Sequence, residues 1–118
     1  MQVAAGDVVT VDFPGVTGVK RRPAVVLSSA VYHQKRPDVI VGLMTSQMRG
    51  LCETDYPLRD WSNAGLRVPS AFRSFIVTLP PAANLVKIGH LSGRDWRAIQ
   101  TCLKAAMVLE RTDAGAVE

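Results

Sequence analysis

Residues 19–29 read VKRRPAVVLSS: three consecutive cations, Lys20, Arg21 and Arg22, run straight into Pro23 and a string of strand formers. A lysine–arginine cluster ordinarily sits in a tail or on a helix face. This one is clamped between apolar segments, at the mouth of what reads as a buried strand. Fixed cations in such a place can grip an anion, and arginine can do so with two parallel hydrogen bonds. The charge excess is local. Residues 19–49 hold Lys20, Arg21, Arg22, Lys35, Arg36 and Arg49 against the single Asp38, a net +5, whereas residues 1–18 carry −2 and residues 50–118 carry +1. That distribution favours a surface facing a polyanion, such as nucleic acid, over a general solubility device, with a plain solvated patch as the alternative.

Other groups that could do chemistry are sparse. VIVGLMTS (39–46) ends in two hydroxyls, Thr45 and Ser46, followed by Gln47. A threonine there can equally close a strand by a local backbone bond. His33 and His90 are too few for a His-rich metal site, and Cys52 and Cys102 lie far apart with no CxxC. The simplest expectation is a reduced, cytoplasmic protein without metal or cofactor. Cys102 reads as a small hydrophobe on a helix. Trp61, in a loop, could stack on a base or anchor that loop to the core.

The elements that must position these groups follow from periodicity. DVVTVDF (7–13) alternates, placing Val9, Val11 and Phe13 on one face and Thr10 and Asp12 on the other, as in a half-buried strand. PGVTG (14–18) is turn chemistry. PAVVLSS (23–29) is a continuous apolar run that predicts a strand buried on both faces, with Pro23 tolerated at its first residue. HQKRPD (33–38) reads as a loop and VIVGLMTS (39–46) as another apolar strand. Residues 55–70 hold two prolines and a glycine and predict short strands with a structured loop. SFIVTL (74–79) and NLVKIGHL (84–91) read as strands separated by Pro80-Pro81. Residues 92–110 are the one clear helix: Ser92 and Asp95 have capping-box spacing, and Trp96, Ile99, Leu103 and Met107 form the face that docks on the sheet.

These elements sum to a mostly β, α+β domain: a small bent antiparallel barrel with a C-terminal helix. The 118 residues suit a single domain, 1–118, with 112–118 as a flexible tail. The chain is 47% hydrophobic and 20% charged, which excludes a disordered protein. No signal peptide is expected, and no run reaches the roughly 20 apolar residues of a membrane helix. A core this small would gain from homodimerisation.

The segments GDVVTVDFPG, KRRPAVVLSS, DVIVGLMTSQ, DYPLRDW and KIGHLS, in this order and followed by a helix, closely resemble the MazF/PemK/Kid family of bacterial toxins over roughly residues 5–108. The resemblance implies an src-homology-3-like barrel and a homodimer that cleaves single-stranded RNA, mRNA above all, sequence-specifically and without metal. It also implies a cognate antitoxin that folds on binding. Arg22, just before the strand-opening proline, matches a catalytic arginine of the family, and Thr45 matches its threonine at the end of the third strand. Lys20, Arg21, Thr17, Ser46, Gln47 and Arg73 would then contact RNA. Two departures stand out. Some members carry an acidic residue just after the arginine corresponding to Arg73, where this chain has Ser74 and Phe75, so the general base is unassigned. The turn PGVTGVK is also shorter than the glycine-rich loop of other members. Two rival readings share the fold: a barrel that binds RNA without cutting it, and a gyrase-poison-like toxin that acts on a protein.

Overall fold

The computed structural model describes residues 3–15 and 18–109. Thr17, the turn centre and the C-terminal tail lie outside the described residues.

Six antiparallel strands form one curled sheet in the order β4-β5-β3-β2-β1-β6. The strands are β1 (Asp7–Gly15), β2 (Gly18–Val26), β3 (Val39–Thr45), β4 (Tyr56–Pro57), β5 (Ala71–Leu79) and β6 (Val86–His90). A short helix α1 (Ala30–Lys35) joins β2 to β3, and helix α2 (Gly93–Ala106) follows β6. The sheet curls far enough to be a half-barrel, as the alternation of apolar runs and turn residues predicts.

β1 departs from the expected half-buried strand. Val8, Val9 and Val11 are all fully buried, so both faces are covered near its start. Val8 joins Val25, Met44, Leu58, Phe72, Ile99 and Cys102 in one cluster, beneath α2 and the 58–66 segment. Val9 and Val11 join Ala24, Val26, Val41, Leu43, Leu79 and Ala83 in another, on the opposite side. Consecutive strand residues point to opposite faces, so a sheet with two buried faces needs apolar residues in sequence rather than in alternation. The apolar run of β2 obeys the same rule.

β2 begins earlier than its apolar run. The cations belong to the strand: Phe13 pairs with Lys20, Asp12 with Arg21, Val11 with Arg22 and Thr10 with Pro23. β2 meets β3 only from Ala24 to Val26, so the hairpin of β1 and β2 continues beyond the sheet as a two-stranded ribbon.

The segment read as a loop after Ser29 is partly helical. Ser29 caps α1, its Oγ accepting from the Tyr32 amide at 3.3 Å. None of the α1 residues is buried, so no apolar periodicity marked it. Helix α2 starts where its capping residues predict, with Ser92 Oγ accepting from the Asp95 amide at 3.3 Å. Its inward face is Asp95, Ile99 and Cys102, flanked by Trp96 and Leu103. Met107 is not part of that face: it caps the helix end and is exposed.

Candidate functional site

Two close approaches shape the surface beside β2. At Gly42 on β3, an added Cβ would fall 2.4 Å from Cε1 of Phe72, so the aromatic ring lies directly on the β3 backbone. The β3–β5 register shifts between Gly42 and Met44, next to this contact. At Gly65 (φ +88), an added Cβ would fall 2.1 Å from the Ile88 carbonyl oxygen, and one on Gly89 would lie as close to the Ala64 carbonyl. Backbone therefore rests on backbone, and the 64–66 turn is pressed against β6. The turn is closed by the Leu66 amide donating to the Trp61 carbonyl at 3.2 Å. Trp61 packs against the core cluster under α2, in its anchoring role.

The result is a groove of about 600 Å³ between β2, the end of β3, the 65–70 segment and β6. Arg22, Pro23, Thr45 and Ser46 line it together. So do Arg67, Thr10 and Ser70, over apolar surface from Met44, Leu66 and Ile88. Among the described residues, neither Arg22 nor Arg67 has a carboxylate within ion-pair distance, so both guanidinium groups keep their donors available. Thr45 Oγ1 accepts the Gln47 amide at 3.0 Å, which fixes the oxygen and leaves its own proton to donate. Ser70 Oγ is already engaged, donating to the Val68 carbonyl at 2.9 Å. Among the described residues, no histidine or carboxylate lines this groove. The arrangement can hold an anion beside an apolar surface and stabilise added negative charge.

The remaining sequence candidates are dispersed. Arg21 lies outside the groove, its Nη1 donating to Asp12 Oδ1 at 2.9 Å. Asn84 donates to the other Asp12 oxygen at 2.9 Å. These two bonds, Asn84 first and Arg21 second, hold the Asp12 carboxyl below its usual range. Lys20 is exposed on the ribbon across from Phe13. Gln47 reaches the site only through its backbone bond to Thr45. Arg73 lines a separate depression of about 330 Å³ with Cys52, Thr54, Asp55, Ser74 and Phe75. Its Nε is 4.0 Å from Asp55 Oδ1.

Both histidines have structural partners. His33 Nε2 and the buried Ser28 hydroxyl are 2.5 Å apart, and Ser28 Oγ also accepts the Ile40 amide. His90 Nδ1 lies 2.7 Å from the buried Asp7 carboxylate.

A family described as PemK-like, MazF-like toxins of type II toxin–antitoxin systems matches residues 4–107. The chain belongs to this family. Among solved structures, a mycobacterial endoribonuclease in complex with its cognate antitoxin superposes with a TM-score of 0.75 at 19% identity, covering 94% of this chain and all of that one. MazF of Deinococcus radiodurans gives 0.72 at 21% identity, covering 90% of this chain and 96% of its own. The Mycobacterium tuberculosis toxin MazF-mt6 gives 0.65 at 26% identity, covering 86% and 98%. No curated protein matches the chain by sequence. In this PemK-like chain, Arg22 and Thr45, the two residues singled out by the family resemblance, line one groove. Arg67 was missed by sequence reasoning. It stands in AGLRVPS, an irregular stretch where neither periodicity nor a neighbouring cation singles it out. The turn glycine two residues earlier was the available signal.

Proposed function

We propose that this PemK-like toxin is an endoribonuclease that cleaves single-stranded RNA without metal. The observation carrying the reading is the shared groove of Arg22 and Thr45, with a guanidinium that is unpaired among the described residues beside a hydroxyl whose oxygen is pinned. In this chemistry the ribose 2′-oxygen attacks the adjacent phosphorus and the bond to the 5′-oxygen breaks. A 2′,3′-cyclic phosphate and a 5′-hydroxyl result. Arg22 donates to the phosphoryl oxygens as their negative charge grows; it does not shuttle the proton, because a guanidinium is too weak an acid. Thr45 donates its hydroxyl proton to a non-bridging oxygen. Arg67 and Ser46 hold flanking parts of the strand, Lys20, Arg21, Gln47 and Arg73 contribute from outside the groove to RNA contact and selection, and Thr17 is a further RNA contact. The protein works in the cytoplasm as a homodimer; the base that takes the 2′-hydroxyl proton and the acid that protonates the departing 5′-oxygen are unassigned. A cognate antitoxin of acidic, disordered character silences it by filling the basic groove.

The test is incubation of the purified protein with a long single-stranded RNA in EDTA, followed by analysis of the ends. Cyclic phosphate and 5′-hydroxyl termini are expected. Cutting that requires magnesium, or 5′-phosphate ends, overturns the reading.

One observation favours a second reading, a barrel that binds RNA without cutting it: among the described residues, the groove has no histidine or carboxylate in its lining. The same incubation decides, since this reading expects retention of the RNA and no new ends.

A further inference from the structure

Phe75 is an aromatic side chain left 55% exposed on β5. Its ring is held nonetheless. The Phe13 ring lies 5.8 Å away, centroid to centroid, at 89°. β1 and β5 are not neighbours in the sheet, since β3 and β2 lie between them. The contact therefore exists because the β1–β2 ribbon curls over the sheet beyond its last pairing with β3. An edge-to-face pair fixes ring orientation without covering it. Cations flank the pair on both sides. Lys20 is the cross-strand partner of Phe13. Arg73 stands two residues before Phe75 on β5 and lines the same depression. The depression next to the ring is lined by Arg73, Ser74, Thr54 and Asp55, whose Oδ1 lies 4.0 Å from Arg73 Nε.

We infer that Phe75 is a stacking platform for one base of a single-stranded RNA, with Phe13 as its prop and Lys20 and Arg73 receiving the adjacent phosphates. The inference rests on the RNA reading above and adds a base-binding subsite outside the groove of Arg22. An aromatic face interleaved with cations is the pattern of single-strand binders, in which bases stack and the backbone follows the charge. The core of a protein–protein contact is instead depleted of charge, so a second copy of this chain is the poorer occupant of a ring bracketed by lysine and arginine.

The test uses the full chain and a fully 2′-O-methylated oligonucleotide, which binds but cannot be cut. Phe75→Tyr keeps the ring and should bind within about twofold of wild type. Phe75→Leu keeps apolar contact with Phe13 but has no π face, and should lose on the order of tenfold in affinity. That loss should disappear on an oligonucleotide lacking the base at one particular position, a coupling that a merely structural role would not produce. Unchanged melting temperatures confirm that the exposed position is not a folding determinant. If Phe75→Leu binds as tightly as wild type, the subsite is wrong while the RNA reading stands. If the variant instead shifts the oligomeric state and leaves affinity intact, the ring belongs to a contact between copies and the inference falls. Wild-type protein that fails to bind the oligonucleotide brings down the RNA reading and the subsite with it.

Discussion

The Tyr56 hydroxyl on β4 donates to Asp95 Oδ1 on helix α2 at 2.6 Å. The same carboxylate is fully buried and also accepts the amides of Arg59 at 3.1 Å and Asp60 at 2.8 Å. A residue whose spacing suggests a simple cap is thus a tether, fastening the strand-poor 56–60 segment to the helix. Removing it would deprive three part-buried donors of their acceptor, each loss costing about 1 kcal/mol. Asp95→Ala should therefore destabilise the fold by several kcal/mol, measured by urea unfolding, whereas Tyr56→Phe should cost only about 1 kcal/mol. Equal effects would mean that the two backbone bonds contribute nothing.

The same contact makes an alkaline prediction. Burial first, then the hydrogen bond and charge of Asp95, push the Tyr56 pKa up to about 12. A folded pKa above the unfolded value of about 10 means the contribution is fully present below pH 10 and is lost as pH climbs towards 12. Stability should fall across that window, and Tyr56→Phe should shrink the fall. A variant with the wild-type alkaline profile would show that Tyr56 is not its source.

At the acid end the sign reverses. Asp60 is held down to about 2 by the Arg94 guanidinium, at 2.8 Å from both carboxylate oxygens, and by the Ser92 hydroxyl. Its contribution is present above the unfolded carboxylate value of about 4 and vanishes as pH falls towards 2. Stability measured from pH 5 to pH 2 should decline less steeply for Asp60→Asn than for wild type. High salt should blunt the difference, because the pair is solvent-exposed.

Much of this arrangement was legible in the sequence, for identifiable reasons. β3 and the core of β2 are unbroken apolar runs because the sheet is covered on both faces. α2 announced itself by its cap and its buried Ile99. What stayed hidden was held by contacts without periodicity. α1 buries nothing, so only its Ser29 cap could have marked it. The start of β2 was masked by the cations, since the ribbon pairs through backbone that side-chain patterning cannot report. The basic triplet also looked like one device, yet Arg21 is tied to Asp12 while its neighbour Arg22 lines the groove. Arg67 arrives there only because Gly65 lets the turn lie against β6, a tertiary contact with no local signature.

On the endoribonuclease reading proposed above, Arg22 and Arg67 should separate chemistry from binding. Arg22→Ala removes a preorganised donor to the developing phosphorane charge, and should cost about 10²–10³ in cleavage rate. Arg22→Lys should recover little, because a point charge cannot reproduce the bidentate fork. Affinity for a non-cleavable strand should fall far less, since other cations share the phosphates. Arg67→Ala should do the opposite: weaken binding, leave the single-turnover rate at saturating RNA close to wild type, and flatten the slope of log affinity against log salt by about 0.7, the value for one phosphate contact on a single strand. Both side chains are exposed, so folding should survive in each variant. A matched loss of rate and affinity in Arg22→Ala would make Arg22 a binding residue only, and an unchanged salt slope in Arg67→Ala would remove Arg67 from the RNA path.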